Sequence, residues 1–360
     1  MIESVEQIAA SPKIDLKSKV AIAFLLLFIG GALSAPWLPL PFSPNETDLE
    51  HISQPPWQWE QYRSGEPFHW LGTDQIGRDL LANIIFGART ALFISFPAMA
   101  LAAVLGIYLG SLAGYFGDKG YKKSIGAVLA AIIAILFFLF YFFLADTSFL
   151  TQNDFGKQVI FKLLVLVLSV LLFKLLRWVF NQGSSLRKTI SLPLDILILK
   201  VIELFQSVPR LLLVLSLATF VRPSLAVVIG LSAFTYWPGI ARLVRSEMLK
   251  IKELPYLEAA RALGFSDKQI IVKHALPNAL TPVIIAFAFG ISNLMALEST
   301  LSFLGIGIPP DVPSWGRAIL GFKKDLSAWW LGLFPGLVLC GAVLSVQAVA
   351  QLLIRLINPK

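Results

Sequence analysis

The chain has 360 residues, 56% of them hydrophobic and only 14% charged, with a net charge of +8. An average soluble chain is about 25% charged, so long apolar runs here must face something other than water. That excludes an ordinary soluble enzyme, a disordered chain and a nucleic-acid reader, and it assigns the excess Lys and Arg to loops flanking a membrane. The single cysteine, Cys340, lies inside an apolar run and carries no redox information.

A helix needs about 20 mainly apolar residues to cross a bilayer. Residues 1–19 are expected to form a cytoplasmic N-terminal segment, and a first span is expected over 20–37, closed by Pro36, Pro39 and Pro41. Lysines precede it as in a signal peptide, but no small-residue cleavage site is clear and more spans follow, so it reads as retained. An external loop over 38–88 leads to a second span over 89–117. Further uncharged runs cover Ser124–Ala145, Pro223–Ala241, Ala275–Leu297 and Leu326–Ile354. Two others carry charge. Gln158–Phe180 holds Lys162 and Lys174 near its ends, where long stems snorkel to the interface. Val201–Val221 holds Glu203 and Arg210, so its inner half is expected to face protein or water. Eight spans result, in an all-α polytopic membrane fold.

Basic residues set the orientation. With both termini inside, twenty Lys and Arg fall on inner segments and nine on outer ones, with Arg210 inside a span. The loop from Pro36 to Ala88 has seven Asp and Glu against Arg63 and Arg78, which suits the outer face.

The long inner loop, residues 242–278, is where function is expected. Pro255 suits the first turn of a helix. Leu257–Leu263 are good helix formers, and Gly264 is placed to end that helix in a left-handed cap. Ser266 and Gln269 have capping-box spacing for a second helix, and Pro277 interrupts before the next span. Ala259 and Ala260 are expected to give a small-residue face for another protein, and Glu258 and Arg261 place opposite charges at i and i+3. Read by propensity alone, the same pattern also describes a solvated amphipathic linker.

Glu258-Ala-Ala, Gly264 and Leu276-Pro277 resemble the coupling-loop signature of ABC importer permeases. His69-Trp-Leu-Gly-Thr-Asp-Gln-Ile-Gly-Arg-Asp79 with Gly87-Ala-Arg-Thr90 is similar to the lead-in of the second span in the dipeptide/oligopeptide/nickel permease family, C-type subunit. Gly114-Tyr-Phe-Gly117, Trp237-Pro-Gly-Ile-Ala-Arg242, Lys273-His-Ala-Leu-Pro-Asn278, Leu301-Ser-Phe-Leu-Gly-Ile-Gly307 and Pro313-Ser-Trp-Gly316 continue the likeness over about two-thirds of the chain. The resemblance implies a six-span permease core, here with two extra spans, in a bacterial cytoplasmic (inner) membrane. It implies that Glu258, Ala259, Ala260, Arg261, Gly264, Leu276 and Pro277 couple to a cytoplasmic ATP-binding subunit. The chain has no Gly-x-x-x-x-Gly-Lys-Ser/Thr loop, so it is expected to bind no cofactor itself and not to be an enzyme. ATP and Mg would belong to two ATP-binding subunits, beside a homologous permease subunit and an extracytoplasmic substrate-binding protein. The implied cargo is di- or oligopeptides. Nickel or another small solute stays open, as do an ion-coupled secondary transporter and an assembly role without flux.

Thr73 or Asp74 is expected to cap a helix running into the second span. Thr73, Asp74, Arg78 and Asp79 double as a candidate binding-protein contact. Glu298 is an intramembrane acid and so a candidate for the pathway or a subunit interface, or a partner for Arg210. The three histidines, His51, His69 and His274, show no metal-ligand spacing, and no metal site is expected. The family passes directly from Gly-Tyr-Phe-Gly to the segment resembling Leu194–Lys200. Here an apolar hairpin over 118–192 intervenes, read either as peripheral or as docking for an additional membrane subunit.

Overall fold

The computed structural model describes residues 15–57, 68–141, 155–183, 186–219 and 223–357. Contacts divide the chain into two units, residues 1–114 with 199–360, and residues 115–198.

The larger unit is a set of apolar helices. Helix α1 (Leu16–Ser34) starts at an Asp15 cap, whose carboxylate accepts the Ser18 N–H at 3.1 Å. Helix α2 (Leu80–Phe116) has 37 residues, about 55 Å at 1.5 Å per residue, so it outruns a ~30 Å hydrocarbon layer. It begins well before the expected residue 89. Helices α7 (Leu225–Ile251), α9 (Thr281–Phe303) and α11 (Trp330–Ile357) complete the long elements of this unit, with α10 (Trp315–Lys324) packed on α9 and α11. Helix α7 does not stop at Ala241 but carries straight on into the inner loop.

Over the expected span Val201–Val221 the helix is interrupted. It is a broken pair, α5 (Leu194–Ser207) and α6 (Arg210–Ala218), bent by 82°. The cause is Pro209, which sits at the α6 N-cap and bars Val208 from helical geometry. Residues 220–222 lie outside the described part. Among the described residues six helices are long and apolar enough to cross a membrane, seven with the bent pair as one.

Among the described residues, three core clusters hold the larger unit. Phe28 and Ala32 of α1 meet Ala88 and Ala91 of α2, Met295, Trp315 and Ala342. Leu80 and Ile84 meet Ala328, Trp330 and Leu331, and Ile94 meets Val214, Val228, Leu301 and Ile308. Helix α2 lies against α7 through Gly106, Gly110 and Gly114. A Cβ on Gly106 would stand 2.6 Å from the Ile240 Cβ, and one on Gly114 2.5 Å from the Met248 Cβ. On Gly110 it would overlap the Ala241 carbonyl. Small residues at i, i+4 and i+8 let two backbones approach, as membrane helices do without a hydrophobic drive between them.

The smaller unit is a helical hairpin closed by a two-stranded antiparallel ribbon. Strand β1 (Tyr121–Ser124) pairs with β2 (Thr189–Leu192), Tyr121 opposite Leu192. Between them run α3 (Ile125–Leu139) and α4 (Phe155–Phe180), packed through Gly126, Ala127, Ala130 and Ala134 of α3. Helix α4 is exposed along most of its length, whereas α7 is about half buried. Long aliphatic side chains such as Leu163, Leu164, Val167 and Leu171 point outward, as lipid-facing surface does. At the neck the Asp195 N–H donates to the Gly117 carbonyl at 3.4 Å, and the Ile196 N–H donates to Asp118 Oδ1 at 3.0 Å. The end of the expected Ser124–Ala145 span and most of the loop Asp146–Lys157 lie outside the described residues.

Candidate functional site

The inner loop is built from local signals. Helix α8 (Pro255–Ala262) opens on Pro255 and ends at Leu263. The Phe265 N–H donates to the Ala260 carbonyl at 3.2 Å and the Gly264 N–H to the Arg261 carbonyl at 3.0 Å. This is the paired closure of a Schellman cap, with Gly264 at φ +82°. Ser266 and Gln269 form both bonds of a capping box. A π-turn over Ile270–Ala275 and a short helix over Leu276–Ala279 then lead into α9.

Helical geometry sorts the coupling residues. Leu257 and Ala260 are buried, whereas Glu258, Ala259, Arg261 and Gly264 are exposed. The expected face of Ala259 with Ala260 is therefore corrected: at 100° per residue, positions 257 and 260 share the inner side and Ala259 alone faces out. Leu276 is half-buried and Pro277 exposed in a first turn. Two residues not singled out from sequence connect α8 to the short helix before α9. The Asn278 amide donates to the Tyr256 hydroxyl at 2.9 Å and to the His274 carbonyl at 3.2 Å, and Tyr256 donates to that carbonyl at 3.3 Å.

On the other side of the unit, the segment His69–Asp79 folds as a compact turn. Asp79, not Thr73 or Asp74, caps α2: its Oδ2 accepts the Ala82 N–H at 2.7 Å. The expected cap is displaced because Asp74 holds a turn of its own, accepting the Arg78 N–H at 2.9 Å and the Arg78 Nε at 2.7 Å. Gly77 at φ +78° allows that turn to press on the Asp48 carbonyl. Thr73 is fully buried. It accepts the Gln54 N–H at 2.9 Å and donates to the His51 carbonyl, while its own carbonyl accepts Trp330 Nε1 at 3.0 Å.

The same folding brings two histidines together. His69 Nδ1 lies 2.9 Å from Asp79 Oδ1, and its Nε2 lies 3.4 Å from Asp48 Oδ2. His51 Nδ1 lies 2.7 Å from that same Asp48 oxygen. Asp48, His51 and His69 present three possible ligand atoms, all within 4.8 Å of one another. The sequence held no sign of this, since the two histidines stand eighteen positions apart. Burial works against charging His69, but the hydrogen bonds and charges of Asp79 and Asp48 hold it above the ordinary imidazole range. Burial likewise works against the Asp48 carboxylate, and the His51, Glu50 and His69 contacts outweigh it, holding Asp48 below the usual range.

Glu298 and Arg210 have separate surroundings. Glu298 is buried and accepts hydroxyl bonds from Ser314 at 2.8 Å, Ser302 at 2.9 Å and Ser299 at 3.3 Å. It ties α9 to the segment before α10, where Trp315 Nε1 donates to the Ile84 carbonyl at 2.9 Å. Gly87 packs against that indole, and Gly316 sits on the Ser299 carbonyl. Arg210 instead lies over the Tyr236 ring at 3.8 Å. It lines an open groove with Tyr236, Met99, Phe289 and Asn293.

Apolar helices bundled around close glycine contacts, with a capped polar segment exposed between α7 and α9, define a multi-pass membrane permease. Residues 183–360 match the family described as binding-protein-dependent transport system inner membrane component. The matched residues include the capped segment, and the family they resemble is one of transport permeases. The chain is 26% identical over 347 residues to the dipeptide transport system permease protein of Alkalihalophilus pseudofirmus, covering 96% of this chain and 87% of that protein. It is 26% identical over 344 residues to the dipeptide transport system permease protein of Haemophilus influenzae, covering 95% and 90%. The oligopeptide transport system permease protein of the same organism is 24% identical over 350 residues, covering 97% and 85%.

Proposed function

We propose that this chain is the translocation subunit of an ATP-driven importer of di- or oligopeptides in a bacterial cytoplasmic membrane. It pairs with a homologous permease subunit, two ATP-binding subunits and an extracytoplasmic substrate-binding protein. ATP and Mg act in the ATP-binding subunits. The observation that carries the reading is the build of the inner segment. Glu258, Ala259 and Arg261 stand exposed on α8, with Gly264 exposed in the cap that ends it, and Tyr256 and Asn278 fasten α8 to the short helix that leads into α9. A rigid exposed helix fixed to a span transmits a push from a soluble subunit as movement of the span, which alternating access requires. Leu276 and Pro277 complete the junction. Arg210, set in an open groove with Tyr236 and Asn293, offers a cation and hydrogen-bonding groups suited to a peptide's carboxylate and backbone. Thr73, Asp74, Arg78 and Asp79 serve the outer surface mainly by holding its shape.

The test is uptake of labelled peptides into proteoliposomes holding the assembled transporter. Uptake should require enclosed ATP and the binding protein, and it should survive collapse of the ion gradients. Uptake that follows an ion gradient without ATP would point to a secondary transporter, and uptake of nickel but not peptides would replace the cargo.

A further inference from the structure

We propose that Asp48, His51 and His69 form a binding site for one divalent transition-metal cation of the zinc type, with Asp79 as the group that orients His69. The site lies outside the segment assigned to coupling and does not depend on the transport reading.

Its parts are held before any ion arrives. His69 is buried, and Phe42 stacks on its ring with centroids 3.9 Å apart. Asp79 engages Nδ1 with one oxygen and the Ala82 N–H with the other, so the carboxylate that orients the ring is itself fixed by the α2 cap. That leaves Nε2 directed at Asp48 Oδ2. A carboxylate on the far nitrogen of a ligating imidazole is the usual support for a metal-bound histidine. Asp48 is fixed as well: its Oδ1 accepts the Glu50 N–H at 3.0 Å and its N–H donates to the Gly77 carbonyl at 3.0 Å. The backbone of His51 is held by its N–H to the Asp48 carbonyl and by Thr73 on its own carbonyl.

The spacing suits a small tetrahedral ion. Zinc takes nitrogen and oxygen ligands at about 2.0–2.1 Å, which puts neighbouring ligand atoms about 3.3–3.4 Å apart. The His69 Nε2 to Asp48 Oδ2 distance is 3.4 Å. The His51 contact, at 2.7 Å, must open by about 0.6–0.7 Å to reach the same spacing. His51 and Asp48 are each about a quarter exposed at the side chain, so an ion can enter from that side and a water can complete its shell. Two imidazoles with one carboxylate select zinc, cobalt or nickel over magnesium and calcium, which prefer oxygen. The bound ion would lock the loop before α2 onto the α2 N-terminus.

The full chain in its transporter complex, purified without a histidine tag and stripped with chelator, is titrated with Zn(II) against a chromophoric competitor and with Co(II) followed by absorption. One equivalent of Zn(II) should bind, Co(II) should develop the intense bands of a tetrahedral site, and thermal unfolding should shift upward. His51→Ala and Asp48→Asn should each weaken binding at least tenfold, while His274→Ala should retain it. His51→Ala also removes the contact to Asp48, so the variant is first shown to unfold cooperatively without metal, and it should then lose the upward shift that Zn(II) gives wild type. Absence of a tetrahedral Co(II) spectrum, or Zn(II) affinity equal in wild type and His51→Ala, would overturn the proposal and leave the cluster as a proton-bridged pair.

Discussion

Gly264 offers a sharp test of how the coupling segment is built, because its two possible roles predict different orders of damage. Its φ of +82° closes the α8 cap, and an added Cβ would meet nothing within 4 Å in this chain. Space is therefore not the constraint; backbone conformation is. A non-glycine residue in the left-handed region costs roughly 1–2 kcal/mol, and Asn tolerates it better than Ala, with a β-branched residue worst. A cost of that size lowers the population of the capped helix about 5- to 30-fold. The assay is affinity of the ATP-binding subunit for detergent-solubilised permease, with ATP hydrolysis and peptide uptake measured in parallel. All three should decline from wild type through Gly264→Asn and Gly264→Ala to Gly264→Val. Damage that instead tracks side-chain volume, with Gly264→Ala milder than Gly264→Asn, would refute the cap argument and mark a tight contact with the partner subunit.

Other outcomes follow from the same geometry. Tyr256→Phe removes the hydroxyl between Asn278 and His274, a loss of about 0.5–1.5 kcal/mol; peptide uptake should fall several-fold while ATP hydrolysis continues. Gly110→Ala should destabilise the protein by about 1–3 kcal/mol through overpacking against the Ala241 carbonyl, read as a lower melting temperature, whereas Gly30→Ala, in open space, should be neutral. Glu298→Ala strands three buried hydroxyls and should cost about 1–3 kcal/mol, with Glu298→Gln milder in the same thermal assay. Excising residues 122–191 and joining Tyr121 to Leu192 through two glycines should preserve assembly and uptake, since those two residues already face each other across the ribbon. Loss of assembly on excision would instead support a docking role for the hairpin.

Features encoded within a few residues were legible in the sequence. The Gly264 cap and the Ser266 capping box need only a turn of chain, and both stand as read. The apolar runs located the helices, though not their ends, because α2 and α7 continue into polar sequence where hydropathy falls silent. Two signals were present and unread: Pro209, which breaks α5 from α6, and the four-residue repeat Gly106, Gly110, Gly114, which seats α2 on α7. The inward turn of Ala260 also follows from helical period. By contrast, the meeting of His51 with His69 and the ring of serines around Glu298 depend on how loops close over α2 and α9, and no spacing encodes them. Asp79 replaced Thr73 and Asp74 as the cap because a turn closed by Asp74 and Arg78 competes for the same stretch.

The central claim is that the exposed face of α8 meets an ATP-binding subunit. Single cysteines along α8, in a chain carrying Cys340→Ser, can be tested for disulfide cross-linking to cysteines in the groove of that subunit in assembled membranes. Glu258→Cys and Ala259→Cys, on the exposed side, should cross-link in a nucleotide-dependent way, and the cross-link should stop uptake. Leu257→Cys and Ala260→Cys, on the buried side, should not react. Equal yields on both faces, or none at any position in complexes that still transport, would contradict the account.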